Sequence, residues 1–288
     1  MTRSRLIFLC ALVLVAAGVV ALWQSGPKEP VYQGKKLSEL IRESREYNPD
    51  REQRNHARAI IKATGSNALP YLMSEFTRSE SRWSSLIHKL TRTFNRPQIR
   101  YTTEDRATLA AGGIYLLGSN ATSAIPTLTG YLNQKMRGVD AATALAGMGE
   151  LTLPVLLGAC ASTNPLMVSR GTHGLNVMVV ETEAAIPPLI QMTLHSNLGI
   201  RFAAINGLTR ARSRLDLVIP TLTNLLSDTD SNVRRSAANA LSRFGETGKP
   251  AVPFLLSFLQ STNPLDVRWA SNALHQIDPS ALPRAAAP

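Results

Sequence analysis

Cysteine is almost missing from the chain. Cys10 and Cys160 are the only two in 288 residues, which excludes a disulfide-stapled scaffold and a cysteine-based zinc site. Histidine is also sparse, and none of the five (His56, His88, His173, His195, His275) is followed by an acid. No His-x-x-x-His or His-x-x-Glu spacing supports a metal site. A Gly-x-Ser-x-Gly elbow and a Gly-Lys-Ser/Thr phosphate loop are absent too. Acidic residues are outnumbered, 20 against 31 Lys and Arg, for a net charge of +11. Runs of strand-like alternation are lacking. What remains is 44% hydrophobic, enough for a sizeable core and too much for a disordered or fibrous chain.

The N-terminus is distinctive. Arg3 and Arg5 precede an uncharged run from Leu6 to Trp23. As a helix it spans ~27 Å, close to the ~30 Å hydrocarbon core of a bilayer. Two readings stay open. A cleaved signal peptide would use small residues such as Ala16-Ala17-Gly18 or Val19-Val20-Ala21 before the cut. An uncleaved anchor is preferred, because the run continues through Leu22 to Trp23 and tryptophan suits a membrane interface. Either reading exports the bulk of the chain, with Arg3 and Arg5 held in the cytoplasm. Residues 1–23 are thus a signal or transmembrane anchor, 24–36 a polar tether, 37–278 the body and 279–288 a tail.

The body repeats itself. Val/Ile/Leu-Pro-x-Leu recurs around Pro70, Pro126, Pro154, Pro187, Pro220 and Pro253, the last four 33 residues apart. Ten residues after each of these four stands a turn-former: Asn164, Asn197, Asp230, Asn263. Small residues keep the register at Gly171/Ala204/Ala237/Ala270 and Gly174/Gly207/Ala240/Ala273, followed by Leu175/Leu208/Leu241/Leu274. A period of this length reads as one helix pair per unit, stacked because no single pair can bury its apolar face alone. In the last unit, Pro250 to Gln260 is the first helix. Asn263 caps the second, Pro264 opens it, and Val267, Ala270, Ala273, Leu274 and Ile277 share one face. The regular units occupy about 150–278. The N-terminal half follows the same design less regularly: helices at 37–47, 51–64, 67–77, 83–94 and 104–117, then a shorter pair at 122–134 and 139–148.

On these residues the chain resembles HEAT repeats, especially the short HEAT-like units of the phycobilisome-lyase type. The match rests on the Pro-x-Leu helices and on Val233-Arg234-Arg235-Ser236-Ala237-Ala238-Asn239-Ala240-Leu241 and Val267-Arg268-Trp269-Ala270-Ser271-Asn272-Ala273-Leu274. Glu29 to Lys35 with Leu37-Ser38-Glu39-Leu40 is similar to the opening of membrane-anchored bacterial HEAT-repeat proteins. The resemblance implies an all-α fold, a right-handed α-α superhelix whose second helices line the concave face. It does not imply an activity. HEAT-repeat di-iron hydroxylases set His-Glu pairs on successive helices, and this chain has none.

Catalytic, cofactor and metal residues are therefore expected to be absent. Gly112-Gly113 reads as a close-packing site and Cys160 as a buried core thiol. Opposite the apolar face of the second helices lie Arg235, Asn239, Arg268, Trp269, Asn272 and His275, a candidate strip for an acidic protein partner. A second basic block surrounds Trp83: Arg78, Arg82, Lys89, Arg92, Arg96 and Arg100. Arginines that start second helices have a competing structural role, pairing with an Asp of a neighbouring repeat such as Asp228 or Asp230. Pairing is preferred for Arg201 and Arg234. Exposure without a carboxylate partner is expected of Arg235, Arg268 and Trp269. The expected function is a membrane-tethered, extracytoplasmic scaffold for protein–protein interaction, at the bacterial cytoplasmic membrane with its C-terminal domain outside, or periplasmic or secreted if cleaved. Alternatives are binding of nucleic acid or another polyanion, against which the export signal argues, and a lyase-type activity suggested by kinship of the repeats. No cofactor or small-molecule substrate is indicated.

Overall fold

The computed structural model describes residues 27–45, 49–78 and 103–282. The apolar run Leu6–Trp23, the 83–94 helix with most of its basic block, and the end of the tail lie outside the described residues. Among the described residues, no helix is long and apolar enough to cross a membrane. The chain divides into two compact units, Met1–Ala121 and Thr122–Pro288.

In the first unit, residues 31–36 of the segment read as a tether form a hairpin. Strand β1 (Val31–Tyr32) pairs antiparallel with β2 (Lys35–Lys36). The two-residue turn between them has Gln33 and Gly34 both at positive φ (50° and 79°), the backbone that matches the twist of a tight hairpin. The hairpin is tied to helix α1 (Leu37–Glu43). Leu37 N donates to Pro30 O (3.0 Å), Ser38 N to Glu29 Oε1 (2.9 Å), and Lys35 Nζ meets Glu43 at 2.8 Å. Helix α2 (Arg51–Ala63) is capped by Asp50, whose carboxylate accepts from Gln53 N. Helix α3 (Leu69–Thr77) carries Pro70 in its first turn, where a missing N–H leaves no bond unmade. Both α1 and α3 press on α4 (Thr103–Leu117). A Cβ at Gly113 would lie 2.7 Å from Ile41 Cδ1 and 2.8 Å from Leu72 Cδ2. Gly113 is a close-packing site, as its place in a helical pattern implied.

The second unit is a run of helix pairs: α5 (Ile125–Tyr131) with α6 (Gly138–Ala146), α7 (Leu153–Cys160) with α8 (Pro165–Met178), α9 (Ile186–Met192) with α10 (Leu198–Leu208), α11 (Leu215–Asn224) with α12 (Ser231–Ser242), and α13 (Val252–Phe258) with α14 (Pro264–Ile277). Short 3-10 turns lead into most first helices, and Gly149 and Gly245 open two of them at φ 62° and 54°. That left-handed exit is one glycine adopts without a Cβ penalty. Each second helix packs on its own first helix and on the second helices before and after it.

The turn-formers cap these second helices. Asn164 Oδ1 accepts from Leu166 N (3.0 Å), Asn197 Oδ1 from Gly199 N (2.8 Å), Asp230 Oδ1 from Asn232 N (2.8 Å) and Asn263 Oδ1 from Leu265 N (3.0 Å). Pro165 and Pro264 follow at the first helical position. The leucine column Leu175, Leu208, Leu241, Leu274 is 0% exposed throughout, each member worth about 1.5–3 kcal/mol over an exposed leucine. The small-residue columns beside it are buried as well.

One register assignment is corrected. Val267 is only half-buried, while Asp266 is buried at 6% exposure. Counting from the caps, Asp266 stands three residues after Asn263, as Val233 stands three after Asp230. A carboxylate therefore occupies the slot that holds valine one repeat earlier.

Candidate functional site

The outward face of the second-helix layer separates its arginines by a single helical step. Arg201 and Arg234 lie four residues after their caps and turn inward. Arg201 Nη1 donates to His195 O (3.1 Å), and its Nη2 reaches Asp228 Oδ1 of the next repeat at 3.9 Å. Arg234 Nη1 donates to Asp228 O (3.0 Å) and Thr229 O (3.1 Å), and its Nη2 lies 3.5 Å from Asp266 Oδ2. Inter-repeat pairing is thus the role of both. For Arg234 the carboxylate is Asp266, since Asp230 is engaged as a cap.

Arg235 and Arg268 stand one residue further along, five after the cap. Both are exposed, and among the described residues neither has a carboxylate at ion-pair distance. Asn239, Asn272 and His275 are exposed on the same layer. An open cleft of about 660 Å³ runs between α12 and α14, lined by Arg235, Ser236, Asn239 and Ser242 on one side and Asn272, His275 and Gln276 on the other. Arg268 lies outside the cleft lining.

Trp269 departs from expectation. It is 9% exposed, its ring centroid 4.8 Å from that of Phe258 on α13. Its indole N–H donates to Asp266 Oδ1 at 3.2 Å. The indole fills the angle between α13 and α14 and satisfies a buried carboxylate that Ser261 Oγ also reaches at 3.2 Å. Trp269 is also among the residues that line the cleft. A bulky aromatic beside the Ala270 column gains more from this packing than from water, so Trp269 belongs to the core rather than to a surface anchor.

Other titratable groups have structural surroundings. His173 Nε2 lies 2.9 Å from Thr143 Oγ1, whose proton goes to Val139 O, so the ring nitrogen is the donor. Burial, with Arg170 and Arg210 nearby, lowers the imidazole pKa from its usual value. Cys160 is a free, half-buried thiol, somewhat more open than the sequence implied. Its sulfur packs against Gly171, and burial pushes its pKa up to about 11. Among the described residues, no three His, Cys, Asp or Glu side chains are grouped to hold a metal.

Residues 186–275 match the family model for HEAT repeats. This stretch of the chain is built of HEAT repeats. No curated protein matches the sequence. Among solved structures, one engineered protein is similar at 16% identity over 84% of this chain and 78% of its own, with a TM-score of 0.37. A second engineered protein aligns at 17% identity over 84% of this chain and 96% of its own, TM-score 0.34. A structure of Kap95p with RanGDP aligns at 13% identity, 84% and 45% coverage, TM-score 0.32.

All six candidate residues fall inside the HEAT stretch. Sequence reasoning missed two features of it. Asp266 was hidden by the Val-Arg motif, although counting from the caps exposes it. Asn206 was also passed over, although it precedes Asn239 and Asn272 at the same 33-residue interval. In the first unit, a cleft of about 680 Å³ lined by Glu29, Arg42, Tyr71, Glu75 and Arg106 had no sequence signal. There, burial and the nearby Glu29 and Glu75 push the Tyr71 phenol to about 12.

Proposed function

We propose that the chain is a membrane-tethered, extracytoplasmic HEAT-repeat scaffold that holds an acidic protein partner on the outward face of its second helices. The observation that carries this reading is the pair Arg235 and Arg268, exposed and without carboxylate partners beside a polar cleft. Uncompensated guanidinium groups beside a polar cleft favour an anionic ligand. The tether rests on the Leu6–Trp23 run behind Arg3 and Arg5. Polyanion binding draws on the same arginines and the +11 charge, and differs in its steep salt dependence.

Proximity labelling with the full-length chain tests the scaffold. Wild type should label a defined set of proteins that the Arg235→Ala/Arg268→Ala variant loses at equal abundance. An unchanged set removes these residues from partner recognition. A reporter enzyme fused after Pro288 should be active only if it works outside the cytoplasm, and the chain should stay with membranes after a high-salt wash. Cytoplasmic reporter activity refutes the export reading.

A further inference from the structure

We infer that one edge of the second unit, formed by the turns inside its helix pairs, lies on the surface of the bilayer that the Leu6–Trp23 run enters. This rests on the membrane-tethered reading and adds a second point of attachment to it. Among the described residues, most of the large apolar side chains that the unit exposes stand on this edge. Met136 and Val139 belong to the first pair, Leu166 to the second, Leu194 and Leu198 to the third and Leu265 to the last; the others are Leu151, Leu157 and Phe254. Leu194 is 75% exposed and Leu265 64%.

Packing does not demand these residues. The second position after the cap holds Leu166 on α8 and Leu265 on α14, but Gly199 on α10 and Asn232 on α12. The stack accepts a polar residue there, or no side chain. Leu194 has Ser227 and Gln260 at the corresponding places of the next two pairs. Exposed apolar groups that line up along one side mark a surface that something covers. The edge is also bare of carboxylates. Across 132–140, 161–167, 193–200, 225–233 and 259–266 no Asp or Glu is exposed, whereas Lys135 is. Asp228 and Asp266 are turned to Arg201 and Arg234, and Asp230 caps α12. The turns between pairs, at the opposite edge, keep their acids outside: Glu150, Glu181, Glu183 and Glu246 are all exposed.

A phospholipid surface answers these features together. Leucine gains by entering the boundary between headgroups and acyl chains. Anionic headgroups attract a lysine and repel a carboxylate. Hydroxyl and amide groups such as Thr163, Ser196 and Asn232, all exposed, find hydrogen-bond partners among the headgroups. A protein partner is held instead by a compact centre enriched in Trp, Tyr and Arg, and none of these is exposed on the edge. The apolar residues follow the stack rather than gather at one point. Neighbouring second helices lie ~8–10 Å apart, so the five turns make a line of roughly 30–40 Å, suited to a broad surface. The body is also kept within reach. The run ends at Trp23 and the described residues start at Pro27, a gap that an extended chain crosses in at most ~14 Å.

The test reads lipid contact in the full-length chain, reconstituted into vesicles of equal parts phosphatidylcholine and phosphatidylglycerol. A fraction of the lipid is spin-labelled on the acyl chain near the headgroup. Each molecule carries one NBD fluorophore, at native Cys10 in the Cys160→Ala chain or, with Cys10→Ala added, at Thr163→Cys, Ser196→Cys or Glu246→Cys. These three added sites are exposed. The spin label should quench the probe at Cys10, Thr163→Cys and Ser196→Cys, and leave Glu246→Cys bright. Leu166→Ser/Leu194→Ser/Leu198→Ser should cut the quenching at Ser196→Cys about fivefold or more, with little change in the melting curve. Equal quenching at Glu246→Cys and Ser196→Cys, none at Thr163→Cys and Ser196→Cys, or indifference to the leucine changes overturns the docking edge. Energy transfer between copies labelled at Ser196→Cys, without lipid quenching, reassigns the edge to a second copy. If neither is seen and proximity labelling depends on the three leucines, the edge belongs to a protein partner instead. Quenching at Cys10 alone leaves the tether standing and removes the edge; no quenching at Cys10 either removes both.

Discussion

Asp266 should be a linchpin between the last two repeats. Its side chain is 8% exposed and takes Arg234 at 3.5 Å, the Trp269 indole N–H at 3.2 Å and the Ser261 hydroxyl at 3.2 Å. Asp266→Ala strips the carboxylate and leaves these donors facing an apolar alanine. Removing one member of a fully buried ion pair costs about 3–5 kcal/mol. Arg234 retains 18% of its side-chain surface and keeps its bonds to the Asp228 and Thr229 carbonyls. Water and those carbonyls offset part of the loss, which brings the expected destabilisation to about 2 kcal/mol. In a structure of this size that lowers the melting temperature by about 4–8 °C.

A double-mutant cycle on the full-length chain isolates the interaction. Because the preceding repeat fills the same slot with Val233, Arg234→Met/Asp266→Val restores an apolar contact. It should fall within about 1 kcal/mol of wild type, since buried pairs are often replaceable by apolar residues of similar volume. The cycle should return about 2 kcal/mol of coupling between positions 234 and 266. An Asp266→Ala melt that superimposes on wild type refutes the account, as does a double mutant no better than the sum of its singles.

His173 is half-buried, and that burial, with Arg170 and Arg210 nearby, lowers its pKa. The unfolded chain therefore binds the extra proton first, so this contribution to stability is intact above the usual imidazole pKa of about 6.5 and is lost as pH falls below it. Urea midpoints of His173→Gln should be flatter than wild type between pH 7 and 5. Cys160, raised to about 11, should react with iodoacetamide at pH 8 roughly a hundred times more slowly than a free cysteine; a normal rate refutes its burial. A Cβ at Gly207 would collide with Asn176 Oδ1 and lie 3.0 Å from Leu189 Cδ1, so Gly207→Ala should destabilise by about 1–3 kcal/mol in thermal melts. Leu241→Asp, which places a lone carboxylate at 0% exposure, should cost several kcal/mol or fail to fold, whereas Asn239→Ala should leave the melt unchanged.

The repeat was legible because several columns agree on one 33-residue period, and small, leucine and cap positions all face constraints that a stacked helix pair imposes. The structure places each of them where the period put it. The errors arose where a motif was matched by composition instead of by register. Val267-Arg268 looks like Val233-Arg234, yet it is shifted one residue against the caps. One residue on a helix turns a side chain by about 100°, which is the difference between Val267 half out and Asp266 buried in. Trp269 falls opposite the apolar face when that face is drawn through Val267, although Phe258 on the preceding helix supplies a partner that no local pattern reveals. The hairpin at 31–36 has two-residue strands, too short for alternation to show. Its only trace was Gln33-Gly34.

The same one-residue step explains how an arginine-rich repeat divides its charge. Four residues after the cap, a side chain points along the stack toward the next repeat, and Arg201 and Arg234 each find an aspartate there. Five residues after it, Arg235 and Arg268 point away. In the last pair the fourth position is Val267. Four residues after the four caps stand Val168, Arg201, Arg234 and Val267, and five after them Ser169, Phe202, Arg235 and Arg268, so arginine occupies both positions only in part of the stack. Arg234 has its charge answered by Asp266 inside the stack, whereas Arg235 and Arg268 leave theirs to solvent, and that uncompensated charge is what the proposed acidic partner would meet.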